Sequence, residues 1–351
     1  MSETILVTGG SGFIGSHTCL VLLEKGYKVL ALDSNCNSKS LALKKVAEIC
    51  NMQNINIENK LIFKKGDLRN KSDIQNIFEE ANNLKTNIVG VIHFGGLKSV
   101  SESLYDPINY WDTNVLGSIN LLNVMNQYKC EVLVFSSSAC IYSSKDNFLI
   151  KEKSDINPLN PYGSTKMVVE KFLHNVFNSN TERWKIANLR YFNPIGAHKS
   201  GLIGESPVSN NNNLFPLIND VAYYRQKTLK VFGDNWPTID GTPVRDYVHI
   251  MDLAESHVKI LEYLNKNNPQ ITDLNIGTGK GTSVLELIKT FEQTNNVKVP
   301  YEIFPRRDGD LPFLVSDNSL ASSILDWSPK FDLKDMCRDG WKWKQLNPNG
   351  Y

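Results

Sequence analysis

Short apolar runs alternate with longer amphipathic stretches through the first half of the chain. Thr4–Thr8, Lys28–Leu32, Leu61–Lys64, Ile88–Phe94 and Val132–Ser136 read as buried parallel strands. Between and after them, Gly15–Lys25, Leu41–Cys50, Ser72–Asn82, Ile108–Tyr128 and Tyr162–Phe177 carry helical periodicity. This alternation predicts an α/β fold, a doubly wound parallel sheet with helices on both faces, extended by Lys185–Arg190 and Asp273–Ile276. A ligand crevice is expected at the carboxyl ends of the strands. After Tyr191 the texture changes. Residues 198–213 are rich in Gly, Ser and Asn, and 233–242 carry Pro and Gly, so long surface loops are expected there. The pattern predicts a dinucleotide-binding unit over 1–191. A smaller C-terminal substrate-binding α/β cap follows over 192–351, with some of its segments returning to the sheet. The Asn-rich stretch Cys50–Lys60 reads as a solvated loop.

Composition narrows the field. The 38 basic and 37 acidic residues nearly cancel, which disfavours nucleic acid as a partner. The six cysteines (19, 36, 50, 130, 140, 337) and six histidines (17, 93, 174, 198, 249, 257) show neither C-x-x-C nor zinc-ligand spacing. Free thiols and no metal site are expected. No apolar run approaches about 18 residues, so no membrane span is expected. Met1-Ser2-Glu3 leads straight into a strand, with no room for a signal peptide. These readings place the protein in the cytoplasm.

Gly9, Gly12 and Gly15 form G-x-x-G-x-x-G between a strand and a helix. Such a turn needs glycine so that a pyrophosphate can approach backbone N–H groups without a Cβ in the way. Asp33 ends the second strand, 18 residues past Gly15, where a carboxylate would accept from an adenosine ribose; a turn or N-cap aspartate is the plainer alternative. No arginine follows Asp33, which favours NAD over NADP. Asp67, in Gly66-Asp67-Leu68, would lie near the adenine edge or simply close a strand-end turn. Phe94-Gly95-Gly96-Leu97-Lys98 follows the fourth strand, where its glycines let a loop touch the cofactor. Lys98 would reach a phosphate or ribose, or remain solvated.

Tyr162 and Lys166 stand one helical turn apart in Pro161-Tyr162-Gly163-Ser164-Thr165-Lys166, just after a helix start at Asn160-Pro161. A free phenol, with its pKa near 10, is a poor base at neutral pH. A neighbouring ammonium and an oxidised nicotinamide would favour phenolate, able to take a hydroxyl proton as hydride leaves the same carbon. In isolation the pair is also what an ordinary amphipathic helix face would show. The serine run Ser136-Ser137-Ser138 ends the fifth strand at the crevice, where one hydroxyl would relay a proton or merely cap the strand.

Taken together these residues resemble the extended short-chain dehydrogenases/reductases, whose fold is the Rossmann sheet, and within them the UDP-glucose 4-epimerase family. The resemblance spans Thr4 to Tyr351. It rests on TGGSGFIGSH, LDSNCNS, GDLRN, IHFGGLKSVSES, FSSSACIY, PYGSTK, LRYFNPIGAH, VRDYVHIMDLA and PRRDGDLP. It implies a catalytic trio of Ser138, Tyr162 and Lys166. It implies cofactor contacts from Phe13, Ile14, Asp33, Ser34, Asn35, Cys36, Asn37, Ser38, Asp67, Leu68, Phe94, Gly95, Gly96, Leu97, Lys98 and Phe192. For the nucleotide sugar it implies Asn193, Asn213, Lys230, Val231, Phe232, Arg245, Arg307, Asp308, Gly309 and Asp310. In this role Arg245 and Arg307 would neutralise the diphosphate with forked donors, and Phe232 would pack on uracil.

The activity implied is interconversion of UDP-glucose and UDP-galactose in galactose metabolism. The hexose is oxidised transiently at C4 and hydride returns without facial preference, on NAD that stays bound. A homodimer built through helices such as Ile108–Tyr128 and Lys166–Phe177 is implied as well. The chain departs from the family at three places. Gly95 replaces an alanine, Cys140 replaces a threonine, and Leu314 stands where relatives carry tyrosine or a small residue that gates sugar size. Leucine is neither, which leaves UDP-N-acetylhexosamines open as further substrates. A 4,6-dehydratase would want Asp-Glu after the strand-end serine, where Ala139-Cys140 stands. A non-catalytic NAD-binding scaffold would have no use for an intact Tyr162/Lys166 pair.

Overall fold

The computed structural model describes residues 3–143, 149–208, 213–307 and 310–351. Seven strands form one parallel sheet: β1 (Thr4–Thr8), β2 (Lys28–Asp33), β3 (Leu61–Lys65), β4 (Ile88–His93), β5 (Val132–Ser136), β6 (Lys185–Tyr191) and, far later, β10 (Gln270–Ile276). Their order is β10-β6-β5-β4-β1-β2-β3. The order reverses between β1 and β4, which makes the carboxyl ends of those two strands the ligand crevice of a doubly wound sheet. A second, mixed sheet centres on β9 (Val244–His249). β9 pairs with β7 (Asn193–Ile195), β11 (Gly281–Ser283) and β13 (Phe313–Leu314). A third pairs β8 (Leu229–Phe232) with β12 (Tyr301–Phe304).

The period of two along each strand splits the core into two layers. Ile5, Val7, Val29, Ala31, Ile92, Val134 and Ala187 face the helices Phe13–Glu24, Leu41–Met52 and Ile250–Lys266. Leu6, Leu30, Val91, Leu133, Phe135 and Ile186 face Lys71–Asn83, Gly117–Gln127 and Pro161–Ser179. Strands buried on both faces read as unbroken apolar runs for this reason. A separate cluster around Ile218, Val231, Tyr247, Phe291 and Trp341 holds the later elements together.

Two expectations change. The stretch read as one helix over Ile108–Tyr128 is three pieces: Pro107–Tyr110, a π-helical turn Trp111–Leu116, and Gly117–Gln127. Such a turn adds one residue to the helix without disturbing its apolar pattern enough to show in sequence. The strand read over Asp273–Ile276 starts earlier, at Gln270. Its first four residues lie at the sheet edge and are only partly buried, so polar side chains are tolerated there.

Candidate active site

The glycine turn is shaped by contacts that no side chain would survive. Gly9 has φ +68°, and a Cβ there would lie 2.9 Å from Gly95 N, so the ends of β1 and β4 touch backbone to backbone. At Gly15 a Cβ would lie 2.2 Å from Gly9 O, which is why the helix Phe13–Glu24 can seat directly on the turn. Gly12 caps that helix without a side chain, leaving Phe13 and Ile14 in its first turn. The Ser11 hydroxyl is buried beside it with no protein partner. An uncapped helix start, an unpartnered hydroxyl and glycines at each close approach fit a pyrophosphate.

Asp33 fills the plainer, structural role that its position allowed. Its carboxylate accepts from Ser11 N (3.0 Å), Asn35 N (2.9 Å) and Ser38 Oγ (2.9 Å). It thereby locks the glycine turn to the loop Ser34–Ser38, in which Asn35 is left-handed (φ 58°). Ser34 Oγ accepts from Cys36 N, Cys36 is exposed, and Asn37 accepts from Val208 N, so this loop also meets the later half of the chain. Asp67 is clamped by Arg69 at 2.7 Å, and that hydrogen bond holds its carboxyl below the usual range. Leu68 is buried under Gly95.

The loop Phe94–Lys98 is tied to the helix carrying Tyr162. Asn114, in the π-helical turn, accepts from Leu97 N (2.7 Å) and donates to Leu97 O (3.1 Å) and Thr165 Oγ1 (3.0 Å). A Cβ on Gly96 would strike its amide oxygen. Phe94 packs on His257. Lys98 pairs with Glu205 at 2.7 Å, reaching across to the later segments.

Tyr162 and Lys166 are both nearly inaccessible, at 5% exposure each. Asn160 caps their helix through Gly163 N (2.8 Å), and Pro161 opens it. Lys166 Nζ donates to Ser136 O (2.7 Å) and lies 4.8 Å from the Phe135 ring centre. Burial pulls its pKa down to about 8, against the upward pull of Glu170. The Tyr162 phenol is raised well above its ordinary value. Burial is the main cause, followed by Tyr191 and Cys140, while a hydrogen bond from Ser138 acts the other way. The protein's own groups therefore keep Tyr162 protonated, and the ammonium one turn away does not by itself make a phenolate of it. Ser138 lies against the phenol and its Oγ also caps the short 3-10 turn Ala139–Ile141 through Cys140 N (3.2 Å).

The later segments assemble above this edge. Arg245 on β9 is aimed by Leu311 O (2.8 Å) and Asp310 (3.4 Å). The Arg307 guanidinium lies 3.8 Å over the Phe232 ring centre, and Lys230 lies 4.9 Å from that of Phe304. Val231 points into the core, so only its backbone is available to a ligand. Asn193 opens β7, and Asn213 precedes the helix Leu214–Ala222 and donates to Glu205. Leu314 is in register with Arg245 and packs with Phe192 on the cluster of Ala139, Ile141, Tyr142 and Ile150. Asp308 and Gly309 lie outside the described residues. Sequence reasoning missed Tyr191, whose hydroxyl accepts from Ser136 Oγ (3.1 Å) and whose ring neighbours the Tyr162 phenol, and it missed Asn114.

A sheet reversing at a glycine turn, with Tyr162, Lys166 and Ser138 on its carboxyl edge, defines a short-chain dehydrogenase/reductase of the extended type. A family profile described as GDP-mannose 4,6 dehydratase matches residues 6–340. UDP-glucose 4-epimerase 4 of Oryza sativa subsp. japonica is 44% identical over 350 residues, covering 100% of this chain and 92% of the relative. An Arabidopsis thaliana bifunctional UDP-glucose 4-epimerase and UDP-xylose 4-epimerase is 43% identical over 352 residues, covering 100% and 98%. UDP-glucose-4-epimerase from Stenotrophomonas maltophila, solved with NAD and formylated UDP-arabinopyranose, superimposes with a TM-score of 0.92 at 43% identity, covering 98% of each chain. The Bifidobacterium longum enzyme with NAD+ and UDP gives 0.92 at 39%, covering 99% and 100%. The chain belongs to the UDP-glucose 4-epimerase family.

Proposed function

We propose that this chain is an NAD-dependent isomerase that interconverts UDP-glucose and UDP-galactose. The observation that carries the reading is the placement of Tyr162. Its hydroxyl lies between those of Ser138 and Tyr191, on a helix that Asn114 joins to the loop Phe94–Lys98 at the sheet's reversal point. When bound along the glycine turn, NAD supplies the site with a hydride acceptor that also serves as donor. With the positive charge of the oxidised cofactor added to that of Lys166, Tyr162 would give up its own proton and, as phenolate, take that of the hexose 4-hydroxyl, with Ser138 as relay. Lys166, fixed on Ser136 O, carries the positive charge beside them. Arg245 and Arg307 meet the diphosphate, and Phe232 offers its ring to the base, so the nucleotide is gripped while the hexose is left free to present either face. The absence of an acid pair after Ser138 sets this reading apart from dehydration.

Several finer assignments follow from the same reading. The protein works in the cytoplasm, where a reducing environment suits six free thiols. Among the described residues no helix is long and apolar enough to cross a membrane. Two copies associate through the face carrying Leu104, Tyr105, Ile108, Trp111 and Leu116, a row of exposed apolar side chains. Purified protein supplied with NAD and UDP-galactose forms UDP-glucose, and Tyr162→Phe slows this by about 100-fold or more. Unchanged UDP-galactose would overturn the reading, and full activity in Tyr162→Phe would overturn the assignment of the acid/base.

A further inference from the structure

Behind the Tyr162–Lys166 pair lies a buried ionic cluster to which the proposed chemistry assigns no part. Glu170 follows Lys166 by one helical turn, on the same face, and its side chain is 5% exposed. Ser137 Oγ donates to Glu170 Oε1 at 2.5 Å, while Lys166 Nζ donates to the carbonyl of the preceding residue, Ser136. Consecutive residues at the end of β5 thus grip consecutive turns of the helix, and Ser138, the next residue, lies against Tyr162.

Arg190 closes the cluster from β6. Its Nε bonds both oxygens of Glu170 (3.0 and 3.1 Å), and one terminal nitrogen bonds Glu170 Oε2 (2.6 Å) and Asp273 Oδ2 (2.9 Å). The other bonds Tyr142 Oη (3.0 Å) and Glu152 O (2.8 Å). Asp273 also accepts from Asn188 (2.7 Å) and faces His174 at 3.2 Å. One guanidinium therefore serves two carboxylates, and the cluster retains negative charge on the side facing Lys166. The titratable groups around Lys166 itself are few. Tyr162 and Glu170 lie on its own helix, His93 on β4, and Arg190 and Tyr191 on β6, with Asp273 beyond Arg190 on β10. His93 is held neutral, its pKa brought down to about 3 by burial and then by Lys166. Tyr162 and Tyr191 are protonated phenols. Glu170 is thus the anion nearest Lys166 along its helix.

We propose that Glu170 is a positioning residue for the Tyr162–Lys166 pair: anchored by Ser137 and Arg190, its carboxylate balances the Lys166 ammonium and sets the helix against the end of β5. The two-sided grip explains why a carboxylate is needed there. A neutral side chain could accept from Ser137 but would leave Arg190 half-paired and Lys166 without its neighbouring anion.

This inference rests on the proposed reaction for its kinetic consequence but not for its first test. Because Lys166 is buried, its amine is followed without a reagent: lysine side-chain NMR across pH, with the Lys166 resonance assigned by its loss in Lys166→Arg, reports its protonation whatever the enzyme does. In Glu170→Gln the Lys166 titration moves to lower pH by about one unit, whereas Glu170→Asp, which keeps the charge, matches wild type. In UDP-galactose kinetics the alkaline limb of kcat moves with it in Glu170→Gln. Glu170→Asp keeps the limb but loses several-fold in kcat with KM unchanged, because its shorter carboxylate draws the helix off register. An unshifted Lys166 titration in Glu170→Gln overturns the charge role. Wild-type kcat in Glu170→Asp overturns the positioning role, and decides the matter if Glu170→Gln does not fold. An inactive wild type with the shift in Lys166 titration intact would instead discard the proposed reaction and leave Glu170's part standing.

Discussion

Asp246 offers the sharpest test of how the substrate side of the crevice is held. It follows Arg245 on β9, is fully buried, and its carboxylate accepts five hydrogen bonds. Oδ1 takes Thr278 N (2.8 Å) and Thr278 Oγ1 (2.6 Å). Oδ2 takes Gly279 N (3.0 Å), Ser316 N (3.1 Å) and Ser316 Oγ (2.6 Å). One side chain thereby fixes the turn after β10 and the strand end after Leu314 to the strand bearing Arg245. In Asp246→Asn the amide oxygen does best at the Oδ2 position, where it keeps two backbone donors. The new NH2 then faces Thr278 N–H, while the Thr278 hydroxyl rotates to accept from it. One partly buried backbone donor is left unpaired, at about 1–3 kcal/mol, and the surviving bonds lose their charge assistance. Relief of the cost of burying a carboxylate, which raises the Asp246 pKa, offsets part of this. The net is a destabilisation of about 2 kcal/mol, read as a lower urea midpoint with unchanged slope. UDP-sugar KM rises in the same variant because Arg245 and Leu314 lose their common anchor, and NAD retention is unaffected. Wild-type stability together with wild-type KM in Asp246→Asn would refute the argument.

Three further outcomes are expected. Gly15→Ala forces a methyl onto Gly9 O and opens the turn, so the gain of about 2.7 kcal/mol that wild type draws from NAD at 100 times Kd disappears, measured by melting with and without NAD. His17 and His93 are pushed down to about 3, and His198 and His257 to about 4, by burial above all. Because folding lowers these pKa values, the stability they confer is complete above pH 6.5 and is lost as pH falls through 6.5 towards 4 and 3. Each approaches about 1.4 kcal/mol per pH unit, and urea midpoints in His257→Gln should fall less steeply with acid than in wild type. Leu314→Tyr lowers kcat/KM for UDP-N-acetylgalactosamine at least about tenfold relative to UDP-galactose; equal effects on both sugars would remove Leu314 from any role in sugar size.

What was legible in the sequence is what short-range chemistry dictates. The glycine turn could be read because a phosphate-binding turn leaves no choice of residue. The central strands could be read because burial on both faces leaves no polar positions. Tyr162 and Lys166 could be paired because four residues make one helical turn. The contacts that escaped reading join distant parts of the chain. Asn114 reaches Leu97 and Thr165 from inside a π-helical turn, whose extra residue is invisible to a 3.6-residue pattern. Tyr191 and Glu170 meet Tyr162 and Arg190 only because β6 pairs with β5. Val231 is core because of what packs on β8 from other elements, which nothing within LKVF records.

The three departures from the family pattern share a physical character. At Gly95 the space that an alanine methyl would occupy is claimed by Leu68 Cδ1, 2.5 Å from where a Cβ would be, so the missing methyl is replaced by a neighbour. Cys140 is half-buried, and desolvation raises its thiol pKa, so it stays a neutral thiol where a threonine would have brought a second hydroxyl near Ser138 and Tyr162. Leu314 is pinned by its pairing with Arg245, and its side chain joins Phe192 on an apolar cluster instead of adding a phenol to the crevice. None of the three adds or removes a formal charge near Tyr162, Lys166 or Arg245, so the acid/base and the diphosphate grip are left as they were. The Gly95 change concerns packing beside the glycine turn, while those at Cys140 and Leu314 alter volume or hydroxyl content near Ser138 and Arg245. The charges on which the reaction depends are therefore those of the family, and the Leu314→Tyr comparison is the test of whether the range of sugars differs.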